Sequence, residues 1–374
     1  AVATDKVGNK STSDRVSLDV DTFADAPVID TVNDNVDSQT GNVLDAKTKV
    51  ALTNDSTPTL EGYAEPDSVI TIYEISELNG DKTAIGTVTA DNHGGWKFEL
   101  PELGDGEYKY TTRAQDKAGN ISGFSETVIV NVDLVAPSEP TITFVEDINK
   151  KDGMLNKAEN GKDGDSTSTK AQISVPGDAE ENDVIHYTVN GEEKTHTITY
   201  NDRVAGYIEF QVPVVDGKTS TVTAKIVDQA GNASEMVKES ISSDFTAPNT
   251  PVITAVIDEW YGGVEFDNVL GKDKGLTNDN TPKFKGTAEA GSTIVLKNGN
   301  EIIGEDIEVK ANGTWEFTPK TPLADGEYNV TATATDKAGN VSNPSNVATI
   351  NVDTNCAKPV ITEIIDDVAG GAVN

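Results

Sequence analysis

Aspartate is the residue whose placement in this chain could do chemistry. One pentapeptide occurs four times, at Asp5–Asn9, Asp116–Asn120, Asp228–Asn232 and Asp336–Asn340, each with a leading Asp and a Gly-Asn ending. A second set, Asp21, Asp133, Asp244 and Asp353, closes an alternating apolar run and precedes a linker that reaches Pro27, Pro137, Pro248 or Pro359. Carboxylates are hard oxygen donors, and sets of six to eight oxygens suit Ca2+. No Lys or Arg recurs beside every copy, so clustered carboxylates would repel one another without a cation. The competing reading is that each Asp caps its own turn, since Asp and Asn bond their own backbone and Gly tolerates φ > 0.

The elements that must position these residues repeat about every 110 residues, too long for a solenoid and right for one small all-β domain per period. The pattern predicts a remnant of a preceding repeat at 1–21, domains at 22–134, 135–245 and 246–354, and the start of another repeat at 355–374. The chain then reads as a piece of a longer protein. Val16, Leu18 and Val20 alternate as a half-buried strand would. About seven short strands fill each unit, as in an immunoglobulin-like sandwich. Trp96 and Phe98, like Trp315 and Phe317, stand two apart and share a face. Tyr108 and Tyr328 follow an Asp-Gly-Glu turn where a tyrosine corner would sit. The middle unit departs from this script: Ser220 replaces the corner Tyr, and the segment found at Thr53–Pro58 and Thr277–Pro282 is missing. In its place Val184–Val189, Asn190-Gly191 and Lys194–Tyr200 read as a hairpin, in which His186 and His196 could be neighbours.

In such a topology the pentapeptide lies at the N-terminal pole of its domain, beside the linker above it. Asp116 then meets Asp21 near Glu65, Asp228 meets Asp133, and Asp336 meets Asp244 near Glu289. A second acidic region falls between the first two strands: Asp30, Asp34 and Asp37 in the first unit, Asp147 to Glu159 in the second, and Asp258 in the third, echoed at Asp366. It points to the opposite pole, where Asp55, Asp105, Asp279 and Asp325 could join it. Asp152, Gly153, Leu155 and Glu159 match the second half of a calcium-loop pattern whose first half is one residue out of register. Solvated loops are the alternative there.

Composition narrows the function. Asp+Glu number 63 against 29 Lys+Arg, a formal charge of −34, which argues against nucleic acid and anionic membranes as partners. One cysteine, Cys356, and three histidines argue against a disulfide framework and a zinc site. No stretch is long and apolar enough to insert in a membrane. No nucleophile elbow, phosphate loop or His-Glu-x-x-His is present, and the recurring motifs recur in every unit, so an enzyme is disfavoured. Trp260 and Tyr261 could contact a ligand.

The joined pattern of Asp-x-Ala-Gly-Asn, Val-Asp-x-x-Ala-Pro, Thr-Asn-Asp-x-Thr-Pro and Asp-Gly-Glu-Tyr resembles the bacterial immunoglobulin-like repeats of giant, type-I-secreted non-fimbrial adhesins. The resemblance implies tandem all-β immunoglobulin-like sandwiches arranged as an elongated monomeric rod, secreted or at the bacterial cell surface. It further implies Ca2+ bound through loop and junction aspartates, here Asp21, Asp116, Asp133, Asp228, Asp244 and Asp336. The rod would hold a tip toward a host-cell receptor or glycan. The missing Thr-Asn-Asp-x-Thr-Pro segment leaves the far-pole site of the middle domain without part of its pattern. A carbohydrate-binding module, with Trp260 or Tyr261 as stacking platform, is the alternative function.

Overall fold

The computed structural model describes residues 1–36, 40–148, 152–160, 165–258, 264–265, 275–356 and 358–362. Asp37, Trp260, Tyr261 and Asp366 lie outside the described residues. The chain divides into two compact units. One comprises Ala1–Thr143, Gln172–Glu209 and Val222–Glu239; the other comprises Phe144–Ala171, Phe210–Thr221 and Ser240–Asn374. No helix among the described residues is long and apolar enough to cross a membrane.

In the first unit, Val2–Thr4 and Lys10–Thr12 pair around the first pentapeptide. The strand expected at Val16–Val20 does not form: these side chains are exposed and no strand is assigned there. A two-stranded ribbon offers no apolar face to receive them. A two-sheet sandwich follows. One sheet runs Gly41–Asn42, Val28–Asp34, Thr59–Tyr63, Gly95–Glu99; the other runs Val50–Thr53, Val128–Val132, Gly106–Gln115, Val69–Ile75, Lys82–Thr89. Val50–Thr53 pairs in parallel with the last strand. Val32, Leu60 and Trp96 from one sheet meet Ile70, Ile72, Tyr110 and Val130 from the other in a buried core. The alternation of each strand thus places one face inward and one outward.

The second unit carries the same sandwich over Val252–Val352. Its four-stranded sheet contains Val252–Asp258, Lys283–Thr287 and Thr314–Phe317. Its five-stranded sheet runs Leu276–Thr277, Ala348–Val352, Gly326–Thr335, Thr293–Asn298, Glu301–Glu308. In both sandwiches a glycine makes room for each ring of the aromatic pair. A Cβ on Gly62 would stand 1.8 Å from the Val28 carbonyl oxygen and 2.9 Å from the Trp96 ring, and one on Gly86 would stand 2.4 Å from Phe98. Gly286 and Gly304 do the same for Trp315 and Phe317. The tyrosine corners form: Tyr108 OH donates to the Gly104 oxygen at 3.2 Å and Tyr328 OH to Ala324 at 3.1 Å.

The middle repeat contributes to both units. In the first, Val184–Val189 and Glu192–Thr197 form the expected hairpin, and both Asn190 and Gly191 have positive φ, as a type I′ turn requires. The second strand stops at Thr197, short of Tyr200. Thr199 and Asp202 form a capping box that starts a one-turn helix, Tyr200–Ala205, closed by left-handed Gly206. His186 and His196 are not neighbours: His186 faces Thr195 and His196 faces Ile185, on opposite sides of the hairpin. His196 bonds the Asp202 carboxylate at 2.9 Å instead. In the second unit, Met154–Asn156 pairs in parallel with Ser242–Asp244, and Ser220 donates to the Pro213 oxygen where the other repeats have the corner Tyr.

Candidate cation sites at the linkers

Each pentapeptide is closed by its own Asp. Asp228 Oδ1 accepts from the Gly231 and Asn232 main-chain N–H groups at 2.7 and 2.9 Å, and Oδ2 accepts from Asn232 Nδ2 at 2.8 Å. Asp336 binds Gly339 and Asn340 in the same way, and Asp116 binds Asn120. The Asn9 side chain, then its main chain, holds the Asp5 carboxyl below the usual range. At Asp116 burial works the other way, yet the Asn120 bonds prevail and the carboxyl is again lowered. The turn-capping role is therefore filled at every copy.

Six further carboxylates grip the linker backbone at two fixed intervals. Glu65 accepts from Asp25 N at 2.7 Å, Asp178 from Ser138 N at 3.0 Å and Glu289 from Asn249 N at 3.3 Å, each across 40 residues. Asp105 accepts from Leu134 N at 2.6 Å, Asp216 from Phe245 N at 2.7 Å and Asp325 from Thr354 N at 2.9 Å, each across 29 residues. Asp21, Asp133, Asp244 and Asp353 each accept from the N–H two residues on. Charged acceptors strengthen these bonds relative to neutral ones.

At the first of the two inner linkers, Asp133, Asp178, Glu180, Asp183 and Asp228 line one cavity of about 310 Å³ beside Pro137. Asp183 is 2% exposed, and its carboxyl is pushed above the usual range by burial, with the negative charges of Asp228 and Glu180 adding to the effect. The expected meeting of Asp228 with Asp133 is thus at one cavity. Asp178, Glu180 and Asp183 were not read from the sequence. Asp178 stands at the Glu65 position of its repeat, and that offset was the available signal. Asn232 was also missed: Nδ2 donates to the Asp133 carbonyl oxygen at 2.9 Å.

At the second inner linker, Asn340 Nδ2 donates to the Asp244 oxygen at 2.8 Å. The loop after Asp152 packs here too, with Asn156 Nδ2 donating to the Ala338 oxygen and Lys157 N to Asn340 Oδ1. Within that loop Gly153 N donates to Asp147 Oδ2 at 2.9 Å, while Asp152 turns back to accept from Met154 N. Asp147 is raised by burial, with further contributions from Asp152 and Glu159.

The second acidic region resolves into buried networks. Thr53 Oγ1 donates to Asp34 and accepts from Asp55 N, and Asp55 Oδ1 accepts from Thr57 N. Thr277 links Asp258 and Asp279 identically. All four carboxylates are buried. Asp30 is separate from Asp34 and Asp55: it lines a groove on the outer face of its sheet. Among the described residues, no three His, Cys, Asp or Glu side chains stand close enough together to hold a metal ion as they are.

The model of the bacterial Ig-like domain family matches residues 28–134 and 267–354. The chain belongs to the bacterial Ig-like domain family. Among solved structures it is similar to a 1.5-MDa bacterial ice-binding adhesin, at 18% identity over 90% of this chain and 100% of that one, TM-score 0.33. It is also similar to a tetra-tandem repeat from the extending region of a large adhesion protein, at 18% identity over 95% and 80%, TM-score 0.28. Fibronectin(III)-like modules of Clostridium thermocellum CbhA match at 12% over 60% and 100%, TM-score 0.36. No curated protein matches. Within the bacterial Ig-like repeats described here, the recurring aspartates hold turns and linkers by hydrogen bonds.

Proposed function

We propose that this chain is a repeat segment of a bacterial surface or secreted adhesin. Domains 22–134, 135–245 and 246–354 form a monomeric rod, stiffened by Ca2+ at the linkers, that spaces or mediates contact with a host-cell receptor or glycan. The observation that carries the reading is the cavity at Pro137, where Asp133, Asp183 and Asp228 gather with Asp178 and Glu180. The donors are all oxygen, the chemistry a hard cation takes, and the raised Asp183 carboxyl marks a place where negative charge is poorly compensated. Since no three of them stand close enough to hold an ion as they are, binding would have to draw them together. Asp133, Asp183 and Asp228 would supply the principal ligands. Bound Ca2+ would neutralise them and favour the ordered linker by linkage. The pairs Asp34/Asp55 and Asp258/Asp279 are proposed as secondary sites on the same chemistry.

Small-angle scattering with a parallel thermal melt, in Ca2+ and then in chelator, tests this. Chelation is expected to shorten the maximum dimension and lower the melting temperature. Asp183→Asn is expected to lose most of the response while melting higher than the parent in chelator, because it removes the repulsion. Scattering and melting curves indifferent to Ca2+ would leave the carboxylates as turn and linker acceptors only.

A further inference from the structure

The outer face of the sheet containing Val28–Asp34, Thr59–Tyr63 and Gly95–Glu99 has a groove that the repeat pattern does not explain. Asp30, Thr31, Tyr63, Asp91, His93 and Gly95 line it, and its volume is about 490 Å³. That falls in the range of small-molecule sites. Tyr63 is 60% exposed and stands between Val28 and Gly95 on the two neighbouring strands, so its ring is open on the Gly95 side. Thr31 Oγ1 is closed off from solvent without a hydrogen-bond partner, and Asp30 beside it is exposed. Asp91 is fixed by the His93 and Gly95 N–H groups at 2.7 and 2.9 Å, which makes that side of the rim rigid.

These features occur once. Strand register equates Tyr63 with Thr287, Gly95 with Thr314, and Thr31 with Ala255 in the third repeat. There the platform, the opening and the hydroxyl are all lost, while the sandwich is retained. The folding pattern therefore does not require them.

We infer that this groove binds a neutral pyranose sugar, with the C–H face of the ring on Tyr63 and its hydroxyls on the exposed Asp30 carboxylate. The negative face of an aromatic ring attracts polarised C–H groups, and carboxylates accept hydrogen bonds from hydroxyls. Glu61 and Lys97 neutralise each other at 2.7 Å, leaving Asp30 and Asp91 to make the rim negative. That charge disfavours anionic sugars. The site uses no junction carboxylate and stands apart from the Ca2+ reading.

Saturation-transfer NMR on the 374-residue chain is the test. The probes are the methyl glycosides of glucose, galactose, mannose and N-acetylglucosamine, with sialic acid as the anionic comparison, in Ca2+ and in chelator. At least one neutral glycoside is expected to respond in both conditions. Tyr63→Ala and Gly95→Thr should each weaken binding about tenfold or more, and Thr287→Ala should leave it unchanged. Gly95→Thr guards against misfolding, because it installs the residue the third repeat already carries. A Cβ there meets Asp91 at 3.2 Å, which a small loop shift relieves. No response from any neutral glycoside, a response from sialic acid alone, or binding retained in both groove variants would overturn the inference.

Discussion

Asn232 donates its side-chain amide to the main-chain oxygen of Asp133 at 2.9 Å, 99 residues away, and to the Asp228 carboxylate at 2.8 Å. Asn340 repeats the relationship with Asp244 and Asp336. The residue that ties the pentapeptide to the linker is thus its last, not its first. Asp228 orients the amide and Asn232 makes the tie, so the carboxylate works on the linker through its neighbour. The turn-capping and junction roles of this motif are parts of one hydrogen-bond chain.

Asn232→Ala should therefore cost more than loss of a turn bond. It removes donors to a charged acceptor and to a partly buried carbonyl, about 1–2 kcal/mol in sum. Asn120→Ala should cost less, because among the described residues its amide bonds only Asp116. Calorimetric melts of the two variants, with hydrogen exchange across residues 134–138, separate the effects. Equal losses, with no change in exchange at the linker after Asn232→Ala, would refute the tie.

Stability without Ca2+ should pass through a maximum in mild acid. The Asp183 and Asp147 carboxyls are raised by burial and by neighbouring negative charge. Their contribution is fully present below the ordinary value of 3.8 and is lost as pH rises through their higher folded values. Asp178, held by Ser138, Asp216, held by Phe245, and Asp325, held by Thr354, are lowered. Their contribution is present above 3.8 and is lost as pH falls through their lower folded values. In chelator, the melting temperature should climb as pH falls from 7 toward the range just above 3.8, then drop. Asp183→Asn should flatten the upper limb. A steady decline from neutral pH would contradict the assigned directions.

The sandwich was legible because its signals are local and repeated: alternation, the aromatic pair, the Asp-Gly-Glu-Tyr corner and the Asn-Gly hairpin each describe a few adjacent residues. Val16–Val20 failed for the opposite reason, since alternation describes a face and says nothing of a partner sheet to cover it. Tyr200 failed because Thr199 and Asp202 offered the chain a capping box, which outcompeted strand continuation. At the candidate sites, the Asp133–Asp228 meeting followed from topology. Asp183 did not, because its role depends on burial beside two other carboxylates, which no motif records. Asp30 was grouped with Asp34 by proximity in sequence. A register shift between Ile29 and Thr31 separates them, leaving Asp34 buried and Asp30 on the exposed face.

The tyrosine corners should be measurable one by one. Tyr108→Phe and Tyr328→Phe each delete a hydroxyl that bonds a carbonyl four residues upstream and leave the ring in place. Each should cost about 0.5–1.5 kcal/mol, the net worth of one such bond. Ser220→Ala should cost a comparable amount, because its 2.7 Å bond to Pro213 does the same work from the buried side of its strand. Denaturant melts that left Ser220→Ala at parent stability would remove Ser220 from that role.

Glycine substitutions should divide sharply by position. Gly62→Ala drives a methyl into the Val28 carbonyl at 1.8 Å and the Trp96 ring at 2.9 Å, and the backbone atom cannot rotate away. Strand Thr59–Tyr63 must then separate from Val28–Asp34 or Trp96 must leave the core. The expected loss is about 3 kcal/mol or more, the range of severe overpacking. Gly86→Ala meets only the Phe98 ring, at 2.4 Å, and Phe98 is half-buried at the sandwich edge, so partial relief by ring movement should hold its cost below that of Gly62→Ala. Gly123→Ala meets nothing within 4 Å and carries no left-handed φ, so it should lie within about 0.5 kcal/mol of the parent. Thermal melts of the three variants give the order directly. A Gly62→Ala protein as stable as the Gly123→Ala one would mean that Trp96 does not pack beneath Gly62, and the account of the aromatic pair would fall with it.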